Sequence, residues 1–119
     1  MKRVLVVDDD PDLLEMICLM ILSNNMSPLC VSSGSQALKA MEDETFDLLL
    51  MDIYLGDLDG RDLSRKLKED LRFRSVPILL YSAGEISAPS IISSMADGFI
   101  QKPFNMTVLI QRMRIMMAA

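Results

Sequence analysis

Four short apolar stretches of this chain each lead into residues able to do chemistry. The run Leu48 to Met51 stops at Asp52, Val4 to Val7 stops at Asp8 and Asp9, Val76 to Tyr81 is followed by Ser82, and Gly98 to Gln101 by Lys102. Three carboxylates packed close together repel one another and resist ionisation unless a positive charge offsets them. A cation is therefore implied. With no histidine in the chain and no thiolate nearby, hard oxygen donors select Mg2+, with Mn2+ able to take its place, and so few protein ligands leave room for water and a phosphate. An oxygen nucleophile, a divalent cation, the Lys102 ammonium and the Ser82 hydroxyl together suit phosphoryl transfer, where positioning and charge neutralisation do most of the work. Asp52 is the best nucleophile, because carboxylates form acyl-phosphates. Taken singly, each residue has a plainer reading: Asp52 as a strand cap, Ser82 as a strand-terminal hydroxyl, Lys102 as a solvated charge.

These residues need rigid elements to bring them together, and the chain alternates strand and helix signals from end to end. Val4 to Val7 and Leu48 to Met51 are continuous apolar runs, the pattern of strands buried on both faces of a parallel sheet. After the first, Asp10 is a natural N-cap and Pro11 a tolerated first residue for a helix to Ser23, burying Leu14, Ile17, Cys18 and Ile21. Asn24 and Asn25 stop that helix before a second strand at Pro28 to Val31. Ser32 to Ser35 supply a loop and cap for a second helix with Ala37, Leu38 and Met41 inward, and a third helix spans Gly60 to Leu71. Val76 to Tyr81 is the fourth strand. Between Gly84 and Met95 a helical pattern is interrupted by Pro89, which predicts a short, late-starting fourth helix. Gly98 to Gln101 is a short fifth strand, and Asn105 caps a last helix with Leu109, Ile110, Met113 and Met116 inward. Asp57 and Asp59 read as turn and cap residues.

Such alternation predicts an α/β fold: a flavodoxin-like, doubly wound (βα)5 domain with a five-stranded parallel sheet in the order 2-1-3-4-5. In that order the ends of the first, third, fourth and fifth strands meet at one edge, so Asp8, Asp9, Asp52, Ser82 and Lys102 converge.

Composition excludes several functions. The 119 residues suit one domain spanning 1–119, with 50% hydrophobic and 24% charged residues as in a globular protein. A net charge of -5 with only short, mixed basic runs argues against direct nucleic-acid binding. The absence of histidine excludes a Ser-His-Asp triad, a Cys-His pair and an imidazole metal site. The N-terminal MKRVLVV reaches Asp8 too soon for a signal peptide, and no run spans a bilayer, so a cytoplasmic location is expected. Cys18 and Cys30 lie in apolar segments without CxxC spacing, which favours buried free thiols over a disulfide.

The motifs VVDDDP at the first strand, LLLMD followed eight residues later by Gly60, YSA at the fourth strand and FIQKPF at the fifth together resemble the receiver domain of two-component response regulators. The resemblance covers nearly the whole chain. It implies that Asp52 accepts a phosphoryl group from a phosphohistidine on a sensor kinase or phosphotransfer protein. It further implies that Asp9 binds Mg2+ directly, Asp8 through water, with Asp52 and the Tyr54 backbone carbonyl as further ligands. Lys102 would pair with the phosphoryl oxygens, Ser82 would turn its hydroxyl to them, and Phe99 would be the switch aromatic that moves inward with it. Pro103 resembles the family's cis-proline. The implied function is regulatory rather than enzymatic: the domain assists only its own phosphorylation and dephosphorylation. Phosphorylation would change a protein-binding surface around Ser82, Phe99 and the last helix for a downstream effector or output domain. An apolar face on the last helix and the adjacent strand is the candidate for homodimerisation or partner docking.

The chain departs from the family pattern in places. Gly56 stands where a proline is common, which suggests a looser loop, and Phe99 replaces a commoner tyrosine. Tyr54 and Gly84 hold the two positions that tune acyl-phosphate lifetime in similar proteins. The stretch from Ser82 to Lys102 is slightly short. Two other readings fit some of the residues: a haloacid-dehalogenase-like phosphatase with Asp8 as nucleophile, and a receiver-like binding module that takes no phosphate.

Overall fold

Leu48, Leu49, Leu50 and Met51 are each 0% exposed, which a strand achieves only when its sheet is covered on both faces. The computed structural model, which describes residues 1–118, supplies that cover with helices between successive strands. In chain order the elements are β1 (Lys2–Val7), α1 (Pro11–Ser23), β2 (Met26–Val31), α2 (Gly34–Asp43), β3 (Leu48–Asp52), α3 (Gly60–Glu69), β4 (Ile78–Ser82), α4 (Ala88–Ser94), β5 (Gly98–Gln101) and α5 (Met106–Met117). The sheet is parallel throughout, ordered β2-β1-β3-β4-β5 as the alternation predicts.

Alternate residues of each strand feed two cores. Leu5, Val7, Leu49, Met51, Ile78 and Leu80 pack with Ala37 and Met41 of α2 and Leu63 and Leu67 of α3. Val4, Val6, Leu48, Leu50, Leu79 and Tyr81 pack with Ile17 and Ile21 of α1 and with Leu109, Ile110 and Met113 of α5. Each fully buried aliphatic side chain contributes about 1.5–3 kcal/mol relative to exposure, so the central strands are held far more firmly than their loops.

Several elements differ from expectation for identifiable reasons. Strand β2 starts at Met26 rather than Pro28, because Asn25 turns the chain in one residue at φ 62°. Pro28 is tolerated inside it because β2 is an edge strand with a single neighbour. Strand β4 starts at Ile78 rather than Val76 and runs on to Ser82, since Val76 is still in a turn with its amide bonded to Phe73 O. Helix α3 ends at Glu69, where the Asp70 amide caps back onto Leu67 O. Helix α4 is short and late, with Ser87 as N-cap and Pro89 in a first turn where its missing N–H is harmless. In α5 Met113 is buried as expected, and Met117 rather than Met116 is the second buried methionine; Met116 is only partly covered, its sulfur beside Gly98 of β5.

The cysteines overturn a further expectation. Cys18 and Cys30 are not free thiols but a disulfide between α1 and β2, with a Cα–Cα separation of 6.7 Å. Helix α1 lies across the edge strand, so the inner side of the helix brings Cys18 opposite Cys30 despite their separation of 12 residues. No described helix is long and apolar enough to cross a membrane.

Candidate functional site

The C-terminal ends of β1, β3, β4 and β5 meet at one edge, and the residues that leave them form a single acidic pocket. Asp8 follows β1 and is 0% exposed; Asp9 beside it is exposed; Asp52 closes β3 at 7% exposure. Oxygens of Asp8, Asp9 and Asp52 all lie within 4.8 Å of one another. The site therefore gathers the three carboxylates singled out by their positions at strand ends.

Each member is held by local structure. Asp8 Oδ1 accepts the Asp10 amide at 2.9 Å, turning the chain into α1, while the Asp10 carboxylate caps that helix through the amides of Asp12 and Leu13. The Asp8 amide donates to Val31 O at the end of β2. Asp52 Oδ1 accepts the Tyr54 amide at 3.4 Å. Gly60 opens α3 against the backbone at the end of β3: a Cβ there would sit 2.4 Å from Asp52 O, so only glycine permits the approach. Lys102 comes off β5, its amide bonded to Ser82 O at 2.8 Å, and the Lys102–Pro103 peptide is cis as expected.

One ammonium faces the acids. Lys102 Nζ is 3.3 Å from Asp52 Oδ2 and 3.7 Å from Asp8 Oδ2, and lies over the Tyr81 ring at 5.0 Å from its centroid. Burial, and then the charge of Asp8, push the Asp52 carboxyl above its ordinary range, with Lys102 pulling the other way. One lysine against three carboxylates leaves the site short of positive charge, and an oxygen-only donor set of this kind fits a hard divalent cation.

The remaining predicted residues lie around this centre. Ser82 is buried at the end of β4, its Oγ accepting the Gly84 amide at 3.3 Å. Phe99 lies on β5, half-buried against the α2/α3 core, with its carbonyl accepting from Arg112. Tyr54 presents an exposed ring with the Arg61 guanidinium 5.8 Å from its centroid, and a Cβ on Gly84 would stand 3.9 Å from that ring. The loop expected to be loose at Gly56 is tied down. Gly56 takes φ 83°, Leu55 donates to Leu58 O, Tyr54 bridges to Asp59, and the Asp57 carboxylate accepts the Gly34 and Ser35 amides at 2.9 and 3.0 Å. Asp57 is a turn residue of its own loop, as expected, whose carboxylate also reaches the first amides of α2, a helix capped by Ser33, while Asp59 caps α3 as expected.

Tyr81 was not singled out from the sequence, yet its phenol donates to Asp8 Oδ2 at 2.7 Å. The signal was present: a tyrosine in an otherwise aliphatic buried strand needs a partner for its hydroxyl. Burial, reinforced by the Asp8 charge, pushes the phenol far above its ordinary range, so it remains a donor.

Known proteins share both sequence and fold. Residues 4–114 match the response regulator receiver domain family. The DNA-binding response regulator MtrA of Mycolicibacterium smegmatis is 35% identical over 115 residues, which are 95% of this chain and 49% of that protein. The chain thus spans about half the length of the curated relatives it matches. A Pseudomonas aeruginosa sensor histidine kinase receiver domain, solved with a magnesium ion coordinated in its active-site cleft, superposes with a TM-score of 0.90 at 25% identity, covering 99% of this chain and 98% of that one. The Thermotoga maritima response regulator TrrA, solved in complex with Mg2+ and BeF, superposes at 0.88 and 25% identity over 98% of this chain and 99% of that one. With the strand order, the acidic pocket and the family match in agreement, the chain belongs to the response regulator receiver domain family.

Proposed function

We propose that Asp52 is the phosphoacceptor of a two-component phosphorelay and takes its phosphoryl group from a phosphohistidine on a sensor kinase or phosphotransfer protein. The observation that carries this reading is the convergence of Asp52 with Asp8, Asp9 and Lys102. An Asp52 oxygen forms the new P–O bond as the P–N bond of the donor breaks, and the imidazole leaves with the electron pair. Asp8, Asp9, Asp52 and the Tyr54 carbonyl are the groups that would hold Mg2+, or Mn2+ in its place. A bound divalent cation supplies neutralisation of the phosphoryl oxygens, which spread negative charge in the transition state. Lys102 adds the second positive charge, already directed at Asp52. Ser82 and Phe99 carry the change outward to α5 and the β5 edge, where an effector or output domain, or a second copy, docks. MtrA is a DNA-binding response regulator, and an output domain of that class is one partner the match supports. The role is regulatory and its setting cytoplasmic.

The phosphatase reading with Asp8 as nucleophile is not favoured. Asp8 is 0% exposed against 7% for Asp52, and Asp10 N and the Tyr81 hydroxyl hold its oxygens at 2.9 and 2.7 Å, closer than the 3.4 and 3.3 Å at which Tyr54 N and Lys102 Nζ hold those of Asp52, so Asp8 is the worse placed of the two to attack. A binding module that takes no phosphate has no need of the assembled carboxylates and lysine. Incubation with Mg2+ and either acetyl phosphate or a phosphohistidine donor, read by intact mass, tests the proposal. One phosphate adduct that requires Mg2+ and is lost in Asp52→Asn supports it; a folded protein that forms no adduct with any donor refutes it.

A further inference from the structure

We infer that Tyr81 is a positioning residue for the acidic site: its hydroxyl keeps Asp8 available to a cation and Lys102 available to Asp52. The inference rests on the acidic cluster being a cation site, as proposed above. Asp8 is 0% exposed, so no solvent replaces a donor it loses. Its Oδ1 is engaged by the Asp10 amide at 2.9 Å and its Oδ2 by the Tyr81 hydroxyl at 2.7 Å. The next donor to Oδ2 is the Lys102 ammonium, at 3.7 Å, beyond hydrogen-bond reach.

The kind of donor matters here. A phenol satisfies a buried carboxylate lone pair without adding charge, so Asp8 keeps the full negative charge that attracts a cation. An ammonium in the same place would cancel it. Without the phenol, Oδ2 becomes an unmet buried acceptor, a costly state, and Lys102, at 3.7 Å, needs to move only about 1 Å to fill it. That movement draws Lys102 from Asp52, where it now stands at 3.3 Å. One hydroxyl therefore decides which carboxylate the single lysine serves. Its own strand places it: Tyr81 lies in register with Asp52 on β3, and its ring meets Phe104 edge-on at 5.7 Å, a contact that phenylalanine would keep.

Mn2+ titrations followed by electron paramagnetic resonance read free metal directly and give a Kd for four proteins: wild type, Tyr81→Phe, Lys102→Met and the double variant. The expected result is a weakening of Mn2+ binding by about tenfold in Tyr81→Phe, and little change on adding Tyr81→Phe to Lys102→Met. A merely structural role for Tyr81 lowers thermal stability equally in both backgrounds and gives no such coupling. Unchanged Mn2+ affinity in Tyr81→Phe, or an equal loss with and without Lys102, overturns the inference alone. A wild-type protein that binds no Mn2+ overturns the inference and the cation site together. If Tyr81→Phe does not fold, fluorotyrosine-labelled wild type decides: the Tyr81 19F signal, assigned with Tyr54→Phe, shifts on Mg2+ saturation if Tyr81 serves the site and stays fixed if it does not.

Discussion

Lys102 Nζ stands 3.3 Å from Asp52 Oδ2 and 3.7 Å from Asp8 Oδ2, so a single ammonium is divided between two buried carboxylates. It cannot neutralise both. The pocket is in this sense built incomplete, with stability given up for a charge deficit that a cation and a phosphoryl group can use.

Asp52→Asn should therefore raise the thermal midpoint in the absence of divalent cations. Burial and Asp8 hold the Asp52 carboxyl above its ordinary pKa, so the ionised form disfavours the fold at all pH values above that raised position. The neutral isostere removes that term, at about 4 °C for each kcal/mol recovered in a domain of this size. Calorimetry checks it, and a midpoint at or below wild type would contradict the electrostatic account.

Asp57→Ala should destabilise the protein by about 1 kcal/mol by leaving the first two amides of α2, Gly34 and Ser35, without their acceptor, while the Ser33 cap remains. The Gly34 amide first, then the Ser35 amide, hold the Asp57 carboxyl below its ordinary range. Its contribution is thus complete above the ordinary carboxylate pKa and fades as acid carries the pH down through the lowered one; exposure keeps it modest. Urea unfolding of both proteins should show a gap at neutral pH that narrows as acid takes the pH below the ordinary carboxylate range. A gap independent of pH would point to something other than the carboxylate.

Lys68→Met should cost about 2–3 kcal/mol without touching the acidic site. The Lys68 side chain is 9% exposed, and its ammonium meets Asp97 at 2.6 Å while donating to Val76 O at 2.8 Å and Arg74 O at 3.2 Å. It ties the end of α3 to the approaches of β4 and β5. Denaturant unfolding together with Mn2+ affinity separates the effects: stability falls while affinity holds.

Ser64→Ala should leave stability unchanged or raise it by up to about 1 kcal/mol. Among the described residues, Ser64 Oγ is the buried side-chain polar atom without a hydrogen-bond partner, and it sits mid-helix in α3 where alanine is the better helix former. A clear loss in thermal unfolding would mean that the hydroxyl has a partner.

What could be read from the chain divides along a physical line. The Val4 and Leu48 strands are legible because burial on both faces demands continuous apolar runs, and the residues ending them are legible because a parallel sheet brings strand ends together. Strand β2 is blurred because an edge strand tolerates Ser27 and Pro28. Asp57 on α2, Lys68 on Asp97, Cys18 on Cys30 and Tyr81 on Asp8 are pairings between segments far apart in sequence. No local pattern encodes them, since each depends on how one finished element docks on another. The candidate site was thus visible as a set of residues, while the partners that set its charge and orientation were not.

Chemical trapping of the phosphorylated residue tests the central claim most directly. Borohydride reduces an aspartyl phosphate to homoserine, which marks the acceptor for peptide sequencing by mass spectrometry. After phosphorylation with Mg2+ present, homoserine should replace Asp52, and Asp8 and Asp9 should be recovered intact. Homoserine in place of Asp8, with Asp52 unmodified, would contradict the account.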